Sequence, residues 1–267
     1  MAFYIKVFMI NTHMLMAHSV RLVRALLHIF SLSFLNILEI SNGSESDIYC
    51  LRSIKDSPED PHYFLKDSWN FNNNTASFIY EFVGVECWHP DVNEVLNIQL
   101  SHMMLRGHFP RDIEHCTHLT GLDLSANELS GPLPFDIGDL LIPFVTKLNL
   151  SGNKFSGENP KSFVNCSFLN VLKLDRYQLI GQIPFQISDL DHLKFFNVSN
   201  NQLSGSVPVF NKTTTKFTTE NFANNKELCG GPLEPCPKRI WKFFSFKNWF
   251  LVGYVFSVGG IVQEEEN

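Results

Sequence analysis

Five glycines and five prolines recur in step along the middle of this chain. Gly107, Gly131, Gly157, Gly181 and Gly205 each stand three residues before a proline, at Pro110, Pro134, Pro160, Pro184 and Pro208. Both series advance by 24, 26, 24 and 24 residues. Upstream of each lies an apolar pair with one residue between: Ile98/Leu100, Leu122/Leu124, Leu148/Leu150, Leu172/Leu174 and Phe196/Val198. A period of this length belongs to units that cannot bury their apolar faces singly and must stack into a solenoid. The alternating pair reads as a short strand with both side chains inward. Leu105, Leu129, Phe155, Leu179 and Leu203 point into the same core from the following turn. The glycine then allows a backbone path closed to residues with a Cβ, and the proline fixes φ where no amide donor is needed. Segments such as FDIGDL and FQISDL add apolar plugs from the convex side. The expected architecture is an α/β repeat solenoid with a short parallel concave sheet, five coils over residues 95–210, and a cap at each end.

An asparagine inside such a coil must satisfy backbone groups, because buried polar atoms need partners. Asn127, Asn153 and Asn201 hold that place; Met103 and Tyr177 interrupt it, and the Tyr177 hydroxyl then needs another partner. Residues 45–94 form the expected N-terminal cap, and 211–239 the C-terminal cap and its continuation. Before them, 1–44 reads as a secretory signal with an extended leader: Arg21 and Arg24 are followed by the apolar run Ala25–Leu38, of signal-peptide length. After them, 240–262 reads as a partial transmembrane segment, since Trp249–Val262 alone is shorter than the about 20 residues a span requires, and 263–267 is an acidic tail.

A hydrophobic share of 44% excludes disorder as a class, and a net charge of −6 gives no electrostatic case for nucleic acid. No nucleophile elbow or H-E-x-x-H occurs, and His108, His115, His118 and Asp112 lack a ligand pair at a recognised spacing. Neither an enzyme, a metal site nor a cofactor is expected. Sequons of the N-x-[ST] type mark Asn73, Asn149, Asn165, Asn197 and Asn211 as candidate glycosylation sites, with Asn42 inside the leader. Strand alternation puts Lys147, Lys173, Asp175, Arg176, Phe195 and Asn197 on the concave side as candidate partner contacts, a set with the aromatic and arginine content of protein interfaces. Cys116 and Cys166 occupy equivalent positions two coils apart, too distant for a disulfide, and are expected as buried thiols. The short span CGGPLEPC points to a disulfide between Cys229 and Cys236.

The segments LTGLDLSANELSGPLP, FVGVECW and FANNKELCGGPLEPC resemble the ectodomains of plant leucine-rich-repeat receptor-like kinases. CLRSIKDSPEDPHYFLKDSW, the two-residue insertion near DLLIPFVTKL and the count of five repeats resemble one subgroup, receptor-like pseudokinases that bind co-receptor kinases. The resemblance implies an extracellular domain, at the plasma membrane or in the apoplast, that docks on a co-receptor kinase ectodomain and modulates immune or hormone signalling. No kinase motif follows the repeats, so the chain reads as truncated before that domain. A secreted inhibitor of a wall-degrading enzyme is the alternative, weakened by the small number of repeats, and an inactive receptor fragment is a further one. The family's cap often carries another cysteine where this chain has Tyr80, which implies that Cys50 pairs with Cys87.

Overall fold

The computed structural model describes residues 43–72, 78–90, 94–141, 144–210 and 217–237. The expected leader apart from its last two residues, the sequons at Asn73 and Asn211, and the segments 240–262 and 263–267 lie outside them.

Every inward apolar pair begins in a short strand. Strands β2 (Val95–Gln99), β4 (Gly121–Asp123), β6 (Lys147–Asn149), β8 (Val171–Lys173) and β10 (Phe195–Asn197) form a parallel concave sheet, and β1 (Val85–Cys87) joins it antiparallel to β2. The register aligns Ile98, Leu122, Leu148, Leu172 and Phe196 across it, and all five are buried. The odd-even alternation of the strand therefore sets core and surface coil after coil.

A second parallel sheet, absent from the expectation, runs through the glycine segments. It comprises β3 (Arg106–Gly107), β5 (Glu128–Pro132), β7 (Lys154–Glu158), β9 (Gln178–Gln182), β11 (Gln202–Ser206) and β12 (Glu227–Cys229). The five repeat glycines sit in these strands with φ between 78° and 110°, in the region that an L side chain rarely enters. After each of the first four repeat prolines the chain closes on the convex side in a short helical turn: Arg111–His115, α3 (Ile137–Leu140), Lys161–Asn165 or Phe185–Asp189. α1 (Gly43–Asp56) and α2 (Phe64–Ser68) belong to the N-terminal cap.

The asparagines staple coil to coil. Asn201 Nδ2 donates to Leu174 O at 2.8 Å and Val198 O at 3.0 Å, while its Oδ1 accepts from Leu179 N at 3.1 Å. Asn127 and Asn153 repeat the arrangement. Asn225, in the C-terminal cap, makes the same bonds to Val198 O, Phe222 O and Leu203 N. The cap thus contains part of a sixth coil, and β12 continues the second sheet beside it. At the missing rung, Tyr177 is buried edge-on to Phe155, ring centroids 5.5 Å apart. Its hydroxyl lies beside the Asn153 side chain without reaching any group in hydrogen-bonding geometry.

The cysteine expectations need correction at the N-terminal end. Cys50 pairs with Cys116, Cα atoms 5.4 Å apart, and not with Cys87. α1 lies against the convex turn Arg111–His115, where Ser46 Oγ donates to His115 O at 2.7 Å, so Cys50 meets the cysteine that ends that turn. Cys116 is therefore bonded, not a thiol. Cys87, on β1, and the fully buried Cys166 remain thiols. Burial pushes their titration up to about 11 and about 12 respectively, which removes the thiolate that reactivity requires. Cys229 and Cys236 are disulfide-bonded, Cα atoms 4.8 Å apart.

Candidate partner-binding surface

The residue that leads each coil into its concave strand is oriented by its successor. Leu119, Val145, Leu169 and Leu193 are buried, so the chain turns the preceding residue outward at His118, Phe144, Phe168 and His192. Phe144 and Phe168 are 56% and 46% exposed, and their rings stack at 6.3 Å between centroids and 18° between planes. His192 continues the stack on Phe168 at 6.0 Å and 17°. Trp88, half exposed at the end of the cap, joins His118, Phe144 and Phe168 around a shallow depression of about 410 Å³. Thr120 and Thr146 complete its lining. The Thr120 hydroxyl donates to Leu96 O at 3.2 Å and that of Thr146 to Thr120 O at 3.1 Å, so both are committed to the preceding coil. The depression offers apolar area with almost no competing polar group. Contiguous exposed aromatics of this kind mark interaction surfaces on soluble proteins.

Of the concave residues singled out in the sequence, Lys147, Lys173, Phe195 and Asn197 lie on the adjoining strands β6, β8 and β10, whereas Asp175 and Arg176 follow β8 in the turn. Lys147 is exposed, while Lys173 and Asn197 are half-buried. Phe195 is 39% exposed, with the Lys173 ammonium 5.3 Å from its ring centroid. Arg176 projects from the turn with φ of 61°. Asp175 is the exception to the expected exposure. It is buried, and its carboxylate accepts from Arg176 Nε at 3.1 Å. It occupies the coil position filled elsewhere by Ser125, Ser151 and Ser199, which are buried as well, so it presents no face to a partner. A polar run crosses the sheet nearby: Asn149 Nδ2 donates to Asp123 Oδ2 at 2.9 Å, and Glu86 accepts from Asn97 and Gln99 at 2.7 Å each.

Of the candidate sugar-bearing residues, Asn165 is exposed at the end of a convex turn, and Asn149 and Asn197 lie in concave strands. Among the described residues no three His, Cys, Asp or Glu side chains gather as metal ligands, and no helix is long and apolar enough to cross a membrane.

The family profile described as Leucine Rich Repeat matches residues 118–140, 144–166 and 192–212. The crystal structure of the BIR2 ectodomain from Arabidopsis thaliana is 45% identical, with a TM-score of 0.67, over 70% of this chain and 96% of that one. The chain belongs to the plant leucine-rich-repeat receptor-like kinase family. A chain of the BIR3–SERK2 complex from the same plant is 40% identical, with a TM-score of 0.66, over 71% of this chain and 98% of that one. Among full-length relatives, a leucine-rich-repeat receptor-like protein kinase of Arabidopsis thaliana is 47% identical over 77% of this chain, which spans 33% of that protein's length. The inactive receptor-like kinase BIR2 is 46% identical over 39% of this chain and 17% of its own length. The matches to solved structures are to ectodomains, and two disulfides accompany them here. The described domain therefore has the chemistry of the secretory side of the membrane.

The lateral ring stack was missed in the sequence because strand alternation directs attention to the concave positions alone. Its signal was present, as an aromatic or histidine residue four positions before the first member of four of the five apolar pairs, at 118, 144, 168 and 192.

Proposed function

We propose that this chain is a protein-binding ectodomain that docks on the ectodomain of a co-receptor kinase and so modulates immune or hormone signalling, without catalysis of its own. The observation that carries this reading is the stacked, exposed Phe144–Phe168–His192 row beside the Trp88 depression. The likeness to a chain of the BIR3–SERK2 complex supports the choice of partner. In this reading the anchors are Phe144 and Phe168, with Lys147 at the polar rim, and Arg176 stands away from the contact. Residues 1–44 serve as the secretory leader and 240–262 as a membrane-directed segment.

The test is calorimetric titration with a SERK-type co-receptor ectodomain. Phe168→Ala and Phe144→Ala should each weaken binding by about 30-fold, the effect of losing a buried aromatic anchor worth about 2 kcal/mol. Arg176→Ala should leave the affinity within about two-fold, as for a residue outside the contact. Full affinity in both phenylalanine variants would remove the lateral surface from the mechanism.

A further inference from the structure

We infer that Asn197 is an N-glycosylation site whose sugar rests on Phe195, and that Asn149, the other concave sequon, stays unmodified. The two asparagines occupy equivalent coil positions but unlike surroundings. Asn149 lies on β6, flanked by β4 and β8, and its Nδ2 donates to Asp123 Oδ2 at 2.9 Å. Asn197 lies on β10, the last strand of the concave sheet, with one strand neighbour, β8. Its Oδ1 accepts from Ser199 N at 3.0 Å, whereas its Nδ2 has no partner among the described residues. A glycan attaches through Nδ2, so the nitrogen that must face solvent is engaged at one site and free at the other.

The chemistry asks for nothing redox-active. The Asn197 Nδ2 displaces pyrophosphate from the anomeric carbon of a lipid-pyrophosphate-linked oligosaccharide. The new bond is N–C1, the C1–O bond to pyrophosphate breaks, the lipid pyrophosphate leaves, and Nδ2 gives up one proton to a base of the transferase. The oligosaccharide donor and transferase belong to the secretory pathway, consistent with the disulfides of this domain.

Phe195 accounts for itself in the same picture. It precedes Asn197 by two residues in one strand, so both side chains leave the same face, roughly 7 Å apart. A large aromatic ring left 39% exposed there is placed to pack against the apolar face of the first sugar. Phe195, a candidate partner contact by strand alternation, becomes a platform for the glycan. This inference uses none of the residues of the lateral docking surface, so either can fail without the other.

The experiment expresses the full chain in insect cells and releases N-glycans enzymatically in H₂¹⁸O, which leaves ¹⁸O-labelled aspartate at each occupied site. Peptide sequencing by mass spectrometry should find the label at position 197 in most molecules and essentially none at position 149. Phe195→Ala should lower Tm by about 2–4 °C in the glycosylated protein and much less after deglycosylation. An unlabelled position 197, or equal labelling at 149, would overturn the site assignment. An equal Tm loss in both forms would overturn the role given to Phe195.

Discussion

Tyr177 stands where a neighbouring coil would place a stapling asparagine, and it brings into a buried position a hydroxyl that lies beside the Asn153 side chain but meets no partner in hydrogen-bonding geometry. Burial, with the Asp175 carboxylate nearby, raises its titration well above the ordinary phenol range, so it stays neutral at any physiological pH. An unpartnered buried hydroxyl costs about 1–3 kcal/mol, while the ring itself fills core space against Phe155. Tyr177→Phe should therefore stabilise the fold by about 1 kcal/mol, read as a higher urea midpoint with an unchanged slope. Asn201→Ala should do the opposite, costing about 2–4 kcal/mol because it strands a backbone amide and two carbonyls. The roles of Asn127, Asn153 and Asn201 were readable from spacing alone. Asn225 was not: it keeps the 24-residue step from Asn201, but the inward pair fails there, with Glu220 where the first apolar residue should stand, and no Gly-x-x-Pro follows in register. A second regularity was hidden too: His102, Ala126, Gly152, Arg176, Asn200 and Asn224, each one residue before the staple position, all have positive φ. Ala126 and Arg176 are not of residue types that favour that region, so composition did not disclose it.

At the level of elements, the joint between α1 and the first coil holds the N-terminal cap. It consists of the Cys50–Cys116 bond and of Asp47, which is fully buried and accepts from Val95 N at 3.0 Å. The pairing was out of reach of the sequence because it depends on which side of the solenoid α1 packs, a tertiary fact, across 66 residues. Replacing both Cys50 and Cys116 by alanine should cost about 2–4 kcal/mol, seen as a lower Tm with the remaining coils still folded. Asp47 makes the joint responsive to pH. Burial raises its carboxyl to about 6, partly opposed by the Val95 amide and by His118. The unfolded value is near 4, so the native state holds this proton more tightly than the unfolded chain. Its contribution to stability is complete below about pH 4 and is lost as pH rises through 6. Asp47→Asn should flatten that decline, by about 2–3 kcal/mol between pH 4 and 7. A pH profile identical to that of the unmodified protein would show that Asp47 titrates normally.

For the molecule as a whole, stacking makes each coil depend on its neighbours, and the same stacking builds the outer surface. The solenoid, its five coils and its capped ends were legible because glycine, proline and leucine recur where geometry demands them. The second sheet was not, since strands such as Gln178–Gln182 carry a glycine in mid-strand and no apolar alternation. The proposed docking surface escaped for a related reason: it lies just before the concave strands, where the pattern imposes no residue type. Its two phenylalanines, Phe144 and Phe168, are copies of one another one coil apart, so a partner sliding by a coil along the axis would meet the same ring again. In the docking proposed above, translation of that kind would be opposed by the histidines that stand in place of phenylalanine at the equivalent positions on either side, His118 and His192. On that proposal the two histidines would set the reading frame of the contact, while the rings between them would supply adhesion.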